Sequence, residues 1–275
     1  MKNPTLSIII LCYNEEKVIE RCLMSVMNQT VSADEIVVVD NNSTDNSAKI
    51  VRRIMKENPN ANIHLVHEKQ QGMIPARNHG LHVAKSEILG RIDSDSTLNP
   101  NWVKVVKKTF RDKTVMGASG PVVYNDMPLK KIGLKMDNSS RKFISKVVRK
   151  YKFLFGSNMA LRKSAWEKIK DKTYFALANE DVVHEDVDIS LCLTEANLKI
   201  VYNPEMIGGM SARRIEDSPR KYAKYNKKFS NAFKIHGLKP SNAYIPMALL
   251  WAIYPVIKPL RFVYNKTHRE KTKTT

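Results

Sequence analysis

Leu6–Cys12 reads LSIIILC and runs straight into Tyr13-Asn14-Glu15-Glu16, while Glu35–Asp40 reads EIVVVD and runs into Asn41-Asn42-Ser43-Thr44-Asp45. A strand with one wet face alternates polar and apolar side chains, so two unbroken β-branched runs that close on polar residues indicate strands covered on both faces. Between them Val18, Ile19, Cys22, Leu23, Val26 and Met27 recur at helical spacing, with Asn14 as the expected cap and Glu15 and Glu16 in the first turn. The alternation continues along the chain. Ser43 or Thr44 caps a helix through about Lys56, Ile63–His67 forms a third strand, Pro75–Ala84 is helical, and Ser86–Ile92 is a strand leading into Asp93 and Asp95. Strand and helix exchanging at this interval predict an α/β fold, a mainly parallel sheet with right-handed crossovers and helices on both faces. Ligands gather at the carboxyl ends of such strands, where Tyr13, Asn14, Asp40, Asn41, Asp93 and Asp95 fall.

After Asp95 the connections lengthen. Pro100–Phe110 reads as a helix, and Val115–Tyr124 and Phe153–Leu161 as strands. Ser139–Lys152 is expected to be a basic amphipathic helix, with Phe143, Ile144, Val147, Val148 and Tyr151 opposed by Lys142, Lys146, Arg149 and Lys150. A second basic helix starts with Ser218 as cap and Pro219 at its first position. It sets Tyr222, Tyr225, Phe229 and Phe233 in one stripe among Lys221, Lys224, Lys228 and Lys234. Tyr244–Ile257 (YIPMALLWAIYPVI) is free of charge but shorter than the ~20 residues of a spanning helix, and holds Pro246 and Pro255. It is expected to lie in a membrane interface, with a packed core or dimer contact as the alternative. Lys266–Thr275 reads as a disordered tail.

The 275 residues are 43% apolar and 27% charged, ordinary for a globular protein and unlike a fibrous or multi-span membrane chain. Cys12, Cys22 and Cys192 are odd in number, lack zinc-binding spacing and sit in apolar segments, so they are expected to be buried free thiols in a reducing compartment. Leu6–Leu11 is followed by acidic residues instead of a cleavage site and reads as a strand, not a targeting segment. Residues 1–100 hold 11 basic and 12 acidic groups, 101–200 hold 20 and 11, and 201–275 hold 15 and 4, so the net charge of +19 comes wholly from the later two segments. Any polyanionic partner is therefore expected to meet the later two thirds of the chain.

Asp93-Ser94-Asp95 places two carboxylates at a strand end, where both can reach a hard divalent cation or a ribose. Asp40 ends a strand of the same sheet, and three carboxylates on one rim are costly without a cation or ligand hydroxyls to compensate. Glu185-Asp186-Val187-Asp188 heads an apolar helical segment and reads equally well as helix-dipole residues or as the seat of a general base.

Taken in order, SIIILCYNEE, EIVVVDNNSTD, GMIPARNHGL, GRIDSDS, GSNMALRKSAW and EDVDISLCL resemble the family-2 inverting glycosyltransferases of the GT-A fold, over roughly residues 5–215. The resemblance implies a Rossmann-like GT-A domain over 1–215, a nucleotide-sugar half (1–98) and an acceptor half (99–215), with 216–275 a basic helical extension. It implies that Tyr13, Asn14, Glu15 and Asn42 line the nucleotide pocket and that Asp40 bonds a uracil-type base. Arg77 would lie near the diphosphate, Asp93 and Ser94 on the ribose side, Asp95 on the metal, Mn²⁺ or Mg²⁺, and Asp186 would be the catalytic base. Glu185 is expected to orient the acceptor, and Asp188 to be structural. Met210 stands about where many relatives carry a metal-ligating His, and a thioether is a poor ligand for these ions. Arg213 and Arg214 read either as a diphosphate clamp or as a solvated basic turn.

The expected activity is therefore transfer from a nucleotide-diphosphate sugar, UDP-linked, to a hydroxyl of a lipid-linked saccharide or cell-surface glycan. The basic helices predict an anionic membrane surface as partner and a peripheral site at the cytoplasmic face of the cell membrane, with no nucleic acid. Two alternatives stay open: a polyanion or nucleic-acid binder on a degenerate GT-A scaffold, and a nucleotidyltransferase of related architecture.

Overall fold

The computed structural model describes residues 3–148, 150–173 and 183–273. The first strands and helices are β1 (Leu6–Cys12), α1 (Ile19–Met27), β2 (Glu35–Asp40), α2 (Ser47–Glu57), β3 (Ile63–His67), α3 (Met73–Val83) and β4 (Ile88–Asp93). They are followed by β5 (Thr97–Leu98), α4 (Trp102–Thr109), β6 (Val115–Ser119), β7 (Val122–Tyr124), α5 (Lys130–Val147), β8 (Met159–Arg162) and α6 (Lys163–Thr173). The chain closes with α7 (Glu185–Glu195), β9 (Lys199–Tyr202), β10 (Gly208–Met210), α8 (Pro219–Ile235) and α9 (Tyr244–Lys273). Seven strands form one sheet in the order β3-β2-β1-β4-β8-β6-β9, parallel except where β8 runs against β4 and β6. A small sheet, β5-β10-β7, lies beyond the carboxyl end of β4.

The unbroken apolar runs are buried on both faces, as their composition requires. Ile8, Ile10 and Val38 pack under α1, α2 and α4, while Ile9, Leu11, Val37 and Val39 pack under α3, α6 and α7. Burying a Val or Ile side chain contributes roughly 1.5–3 kcal/mol, so this double-sided layer dominates the stability of the N-terminal half. The three cysteines are buried and unpaired. Phe229 and Phe233 of α8 share a third core with Tyr151, Phe153, Val187 and Leu191, so the extension after residue 216 is packed on the helix that carries Asp186.

Several sequence expectations are displaced. Asn14 does not cap α1, which begins at Ile19; it turns the chain off β1 in the left-handed region (φ 53). Its side-chain oxygen accepts from Thr44 N at 2.8 Å, and its own N–H donates to Ser43 Oγ at 3.1 Å. The two polar clusters read as helix caps thus bind each other across the strand ends, and α2 starts later, at Ser47. Val115–Tyr124 splits into two strands belonging to different sheets. The basic helix expected at 139–152 spans 130–147 instead; Tyr151 and Phe153 leave it for the core, and Arg149 lies outside the described residues. Ser218 caps α8 as expected, accepting from Lys221 N, with Pro219 at the first position. The segment 244–257 continues through Pro255 and Pro259 into a single helix of 30 residues, which replaces the expected tail up to Lys273, with 274–275 outside the described residues. By length and composition alone 240–266 could cross a membrane, with 17% of its most apolar window buried.

Candidate active site

The register of the sheet assembles the rim. Leu11 lies opposite Asp93 on β4 and Cys12 opposite Asp40 on β2, so Tyr13, Asn14 and Glu15 emerge between the two aspartate-bearing strands. Tyr13 is exposed at the edge of this notch. Asp40 is buried, accepts from Ser43 N at 3.3 Å and lies 3.4 Å from His67 Nδ1. Asn42 adopts φ 62 and donates to Lys69 O at 2.8 Å, tying the loop after β2 to the loop after β3.

Asp95 points from the end of β4 toward Arg213, whose Nε lies 3.1 Å from its carboxylate, while the Arg213 Nη2 donates to Glu15 at 2.5 Å. Burial, and then the nearby Asp93 carboxylate, push the Asp95 pKa up to about 6 despite Arg213. A carboxylate in this condition gains from a cation. Asp95, Asp93 and Glu15 place hard oxygen donors along one rim, with Asp93 bonded to Arg91 and Glu15 to Arg213; the three potential ligands that lie within 4.8 Å of one another among the described residues are instead Asp188, Cys192 and His236. Met210 ends β10 beside Tyr124, and Ser211 and Ala212 after it bond Asp126, so this segment adds no nitrogen ligand. Arg213 is aimed at the rim, whereas Arg214 lies over the ring of Tyr225, 4.2 Å from its centroid. Ser94 is buried behind the rim.

One side chain that sequence reasoning passed over joins the two acidic clusters. Arg91, in the interior of β4 and almost fully buried, sends Nη2 to Asp93 at 2.8 Å and Nη1 to Glu185 at 2.9 Å. Its signal was a lone charge inside a buried strand, which must find partners because an unpaired buried guanidinium is too costly. Gly156 makes room for it: a Cβ there would lie 1.7 Å from Arg91 Nη1. Glu185, expected to orient the acceptor, is instead committed to Arg91. It is buried, and desolvation raises its pKa while Arg91 pulls it back. Arg77, expected near the diphosphate, is wholly buried; its three nitrogens are occupied by Glu185 O at 2.9 Å and by Asn78 Oδ1 at 3.0 and 2.7 Å. It braces the turn that presents Asp186 from behind, because the helix α3 that carries it lies beneath the sheet.

Asp186 is half-buried at the start of α7. Its oxygens accept one backbone N–H each, from Gly156 at 2.8 Å and from Val187 at 2.8 Å, which fixes the carboxylate while leaving a lone pair on each oxygen. His184, next to it, stands edge-on to Tyr225 at 4.3 Å, and burial pushes its pKa down to about 4, so it is neutral there. Tyr225 lies close enough to Asp186, Glu185 and Asp93 to feel all three charges.

Behind the site, Asp188 Oδ1 bonds His236 Nε2 at 3.0 Å and Glu195 bonds His236 Nδ1 at 2.7 Å, locking α8 to α7. Burial alone would lower the His236 pKa, but the two carboxylates outweigh it and hold it above the ordinary value. A raised pKa in the folded state makes this tie fully effective below the unfolded value of about 6.5, and it is lost as pH rises through the higher folded value. The thermal midpoint of the parent should therefore exceed that of His236→Gln most near about pH 6, and the gap should narrow toward about pH 9, as followed by thermal unfolding across that range. A gap that widens with pH would refute the assignment.

A mainly parallel sheet flanked by helices, with carboxylates at the carboxyl ends of its central strands, is the α/β architecture of the GT-A fold. Family comparisons agree. The model described as glycosyl transferase family 2 matches residues 7–170, and that described as glycosyl transferase family group 2 matches 91–265. The chain belongs to glycosyl transferase family 2. It is 34% identical over 113 residues to the chondroitin synthase of Pasteurella multocida (strain Pm70), covering 41% of this chain and 12% of that one. The matched stretches span between 11 and 36% of the curated relatives' lengths. Among solved structures, the mannosyltransferase PcManGT from Pyrobaculum calidifontis, in complex with GDP-Man and Mn2+, superposes with a TM-score of 0.66 at 21% identity, over 98% of this chain and 76% of that one. TarS 1-349 of S. aureus in complex with UDP gives 0.60 at 18% identity, over 83 and 64% of the two chains. At these identities the likeness carries the fold.

Proposed function

We propose that the chain transfers a sugar, with inversion, from a nucleoside-diphosphate sugar to a hydroxyl of a lipid-linked saccharide or cell-surface glycan. Residues 1–98 hold the donor, 99–215 the acceptor, and 216–275 form a helical extension. The observation that carries the reading is the Arg91 bridge, because one guanidinium bonded to both Asp93 and Glu185 keeps the donor rim and the Asp186 turn at a fixed separation. Tyr13, Asn14, Glu15 and Asn42 line the nucleotide side, Asp40 takes a UDP-type base, and Asp93 and Ser94 border the ribose. Asp95 holds the Mn²⁺ or Mg²⁺, which when bound offsets charge on the leaving diphosphate. The acceptor oxygen bonds the anomeric carbon as the bond to the diphosphate oxygen breaks on the opposite face. Asp186 takes the hydroxyl proton, and the nucleoside diphosphate departs with the bonding electrons. Arg213 holds Glu15 and Asp95 together until a donor arrives, and then turns to the diphosphate. The GDP-Man, UDP and Mn2+ of the structural neighbours favour this class of donor and ion. The basic later two thirds suit a peripheral place at an anionic membrane, on the cytoplasmic face.

Incubating the chain with Mn²⁺ and a panel of nucleotide sugars tests the reading directly. Release of nucleoside diphosphate supports transfer, release of inorganic diphosphate points to the nucleotidyltransferase alternative, and neither product leaves the polyanion binder. By calorimetry, Asp95→Ala should weaken Mn²⁺-dependent donor binding about tenfold or more and leave metal-independent binding in place. Unchanged metal dependence would remove Asp95 from its role.

A further inference from the structure

Two neighbouring helices are turned inside out. In most surface helices the apolar stripe faces the core and the polar stripe faces water. On α5 the inward positions are polar: Asp137 accepts from Val122 N at 2.9 Å and pairs with Arg141, and Asn138 accepts from Tyr202 Oη at 2.8 Å. The opposite stripe, Ile132, Met136, Phe143 and Val147, is between 44 and 54% exposed. Each of these four is preceded by an exposed lysine, Lys131, Lys135, Lys142 and Lys146, so a basic column runs alongside the apolar one.

α9 repeats the inversion. Tyr254, Lys258, Arg261 and Asn265 fall on one stripe and bond the body: Tyr254 Oη and Lys258 Nζ donate to Asp217 O at 2.7 and 2.6 Å, Arg261 pairs with Asp126 at 2.9 Å and with Glu216 at 2.8 Å, and Asn265 donates to Glu216 at 2.8 Å. Val256 and Leu260 on the far side, and Phe262 on the flank, are 60, 43 and 72% exposed. The polar stripe holds this helix along the body, and α5 lies in contact with it.

We propose that α5 and α9 form a single membrane-docking face, whose outward apolar stripes enter the boundary between headgroups and acyl chains of an anionic leaflet while the α5 lysine column meets the lipid phosphates. The proposal rests on the membrane-peripheral reading above and names the surface that performs it. A second copy of the chain is the poorer occupant, because a two-fold contact through α5 would bring the lysine column against its own counterpart.

Flotation of the full chain with vesicles tests this, comparing phosphatidylcholine alone with phosphatidylcholine plus phosphatidylglycerol. The parent should float with the anionic vesicles and far less with the neutral ones. Met136→Glu/Phe143→Glu on α5, and Val256→Glu/Leu260→Glu on α9, should each lower the bound fraction about tenfold or more. All four positions are exposed, so the variants should keep the parent's thermal midpoint and its donor binding. If the parent floats and both variants float equally well, this face is wrong while the membrane reading stands. If the parent floats with no vesicle, the membrane reading falls along with it. Sizing chromatography that gives a parent dimer and variant monomers, with no vesicle binding, would assign the face to a second copy instead.

Discussion

Replacing Asp186 by Asn should lower transfer about 10²- to 10⁴-fold while donor affinity stays near that of the parent. The amide matches the carboxylate in shape but has no basic oxygen to accept the acceptor's proton. The geometry adds a structural corollary. Both Asp186 oxygens receive a backbone N–H, from Gly156 and from Val187, and an amide can satisfy only one of them. The other N–H then faces an NH₂ group, a loss of about 1–3 kcal/mol, so the thermal midpoint should drop modestly as turnover collapses. Single-turnover transfer, with calorimetric donor binding on the same protein, separates the two effects. Full turnover in the variant would remove Asp186 as the base.

The second large effect is expected at Arg91, which touches no reacting atom. Arg91→Met keeps the length of the side chain but leaves Glu185 buried and Asp93 half-buried without their shared cation. Breaking a buried pair from one side costs about 3–5 kcal/mol. Glu185 already has its pKa raised by burial, with Arg91 as the strongest opposing influence, so its loss raises that pKa further. A carboxyl whose folded pKa exceeds its unfolded value destabilises the fold above that range, and the penalty fades as pH falls and the group protonates. Denaturant unfolding should therefore show a large deficit for the variant at neutral pH that shrinks under mildly acidic conditions. A deficit independent of pH would mean that packing, not charge, makes Arg91 matter.

The N-terminal half was legible because its strands are buried on both faces, and continuous β-branched runs have few other homes. The polar residues between those runs were harder. Asn14, Ser43 and Thr44 have good capping chemistry, and sequence alone does not reveal that the strand ends lie close enough for them to cap each other. The candidate site was read as a set of types and an order, which named carboxylates such as Asp95 and Asp186 but not the buried Arg91 that ties Asp93 to Glu185. Arg77 and Glu185 looked like substrate-facing residues because charge in a motif suggests contact with ligand, yet Arg77 is held by Asn78 and by the Glu185 carbonyl, 108 residues away, and the Glu185 carboxylate by Arg91. In the basic helix expected at 139–152 the periodicity was visible, but not which stripe faces outward, since that depends on what the neighbouring strands and turns offer to polar side chains.

The place of β8 in the sheet has a consequence for how the chain matures. It is inserted between β4 and β6, although β6 precedes it in sequence. During synthesis, β3, β2, β1 and β4 can pair as soon as they emerge, but the far edge of β4 stays uncovered until Met159–Arg162 has left the ribosome. For that interval a nascent chain carries an apolar, unpaired strand edge, open to self-association or to a chaperone. Completion of the sheet around β4 thus waits on translation of residues more than sixty positions further along the chain.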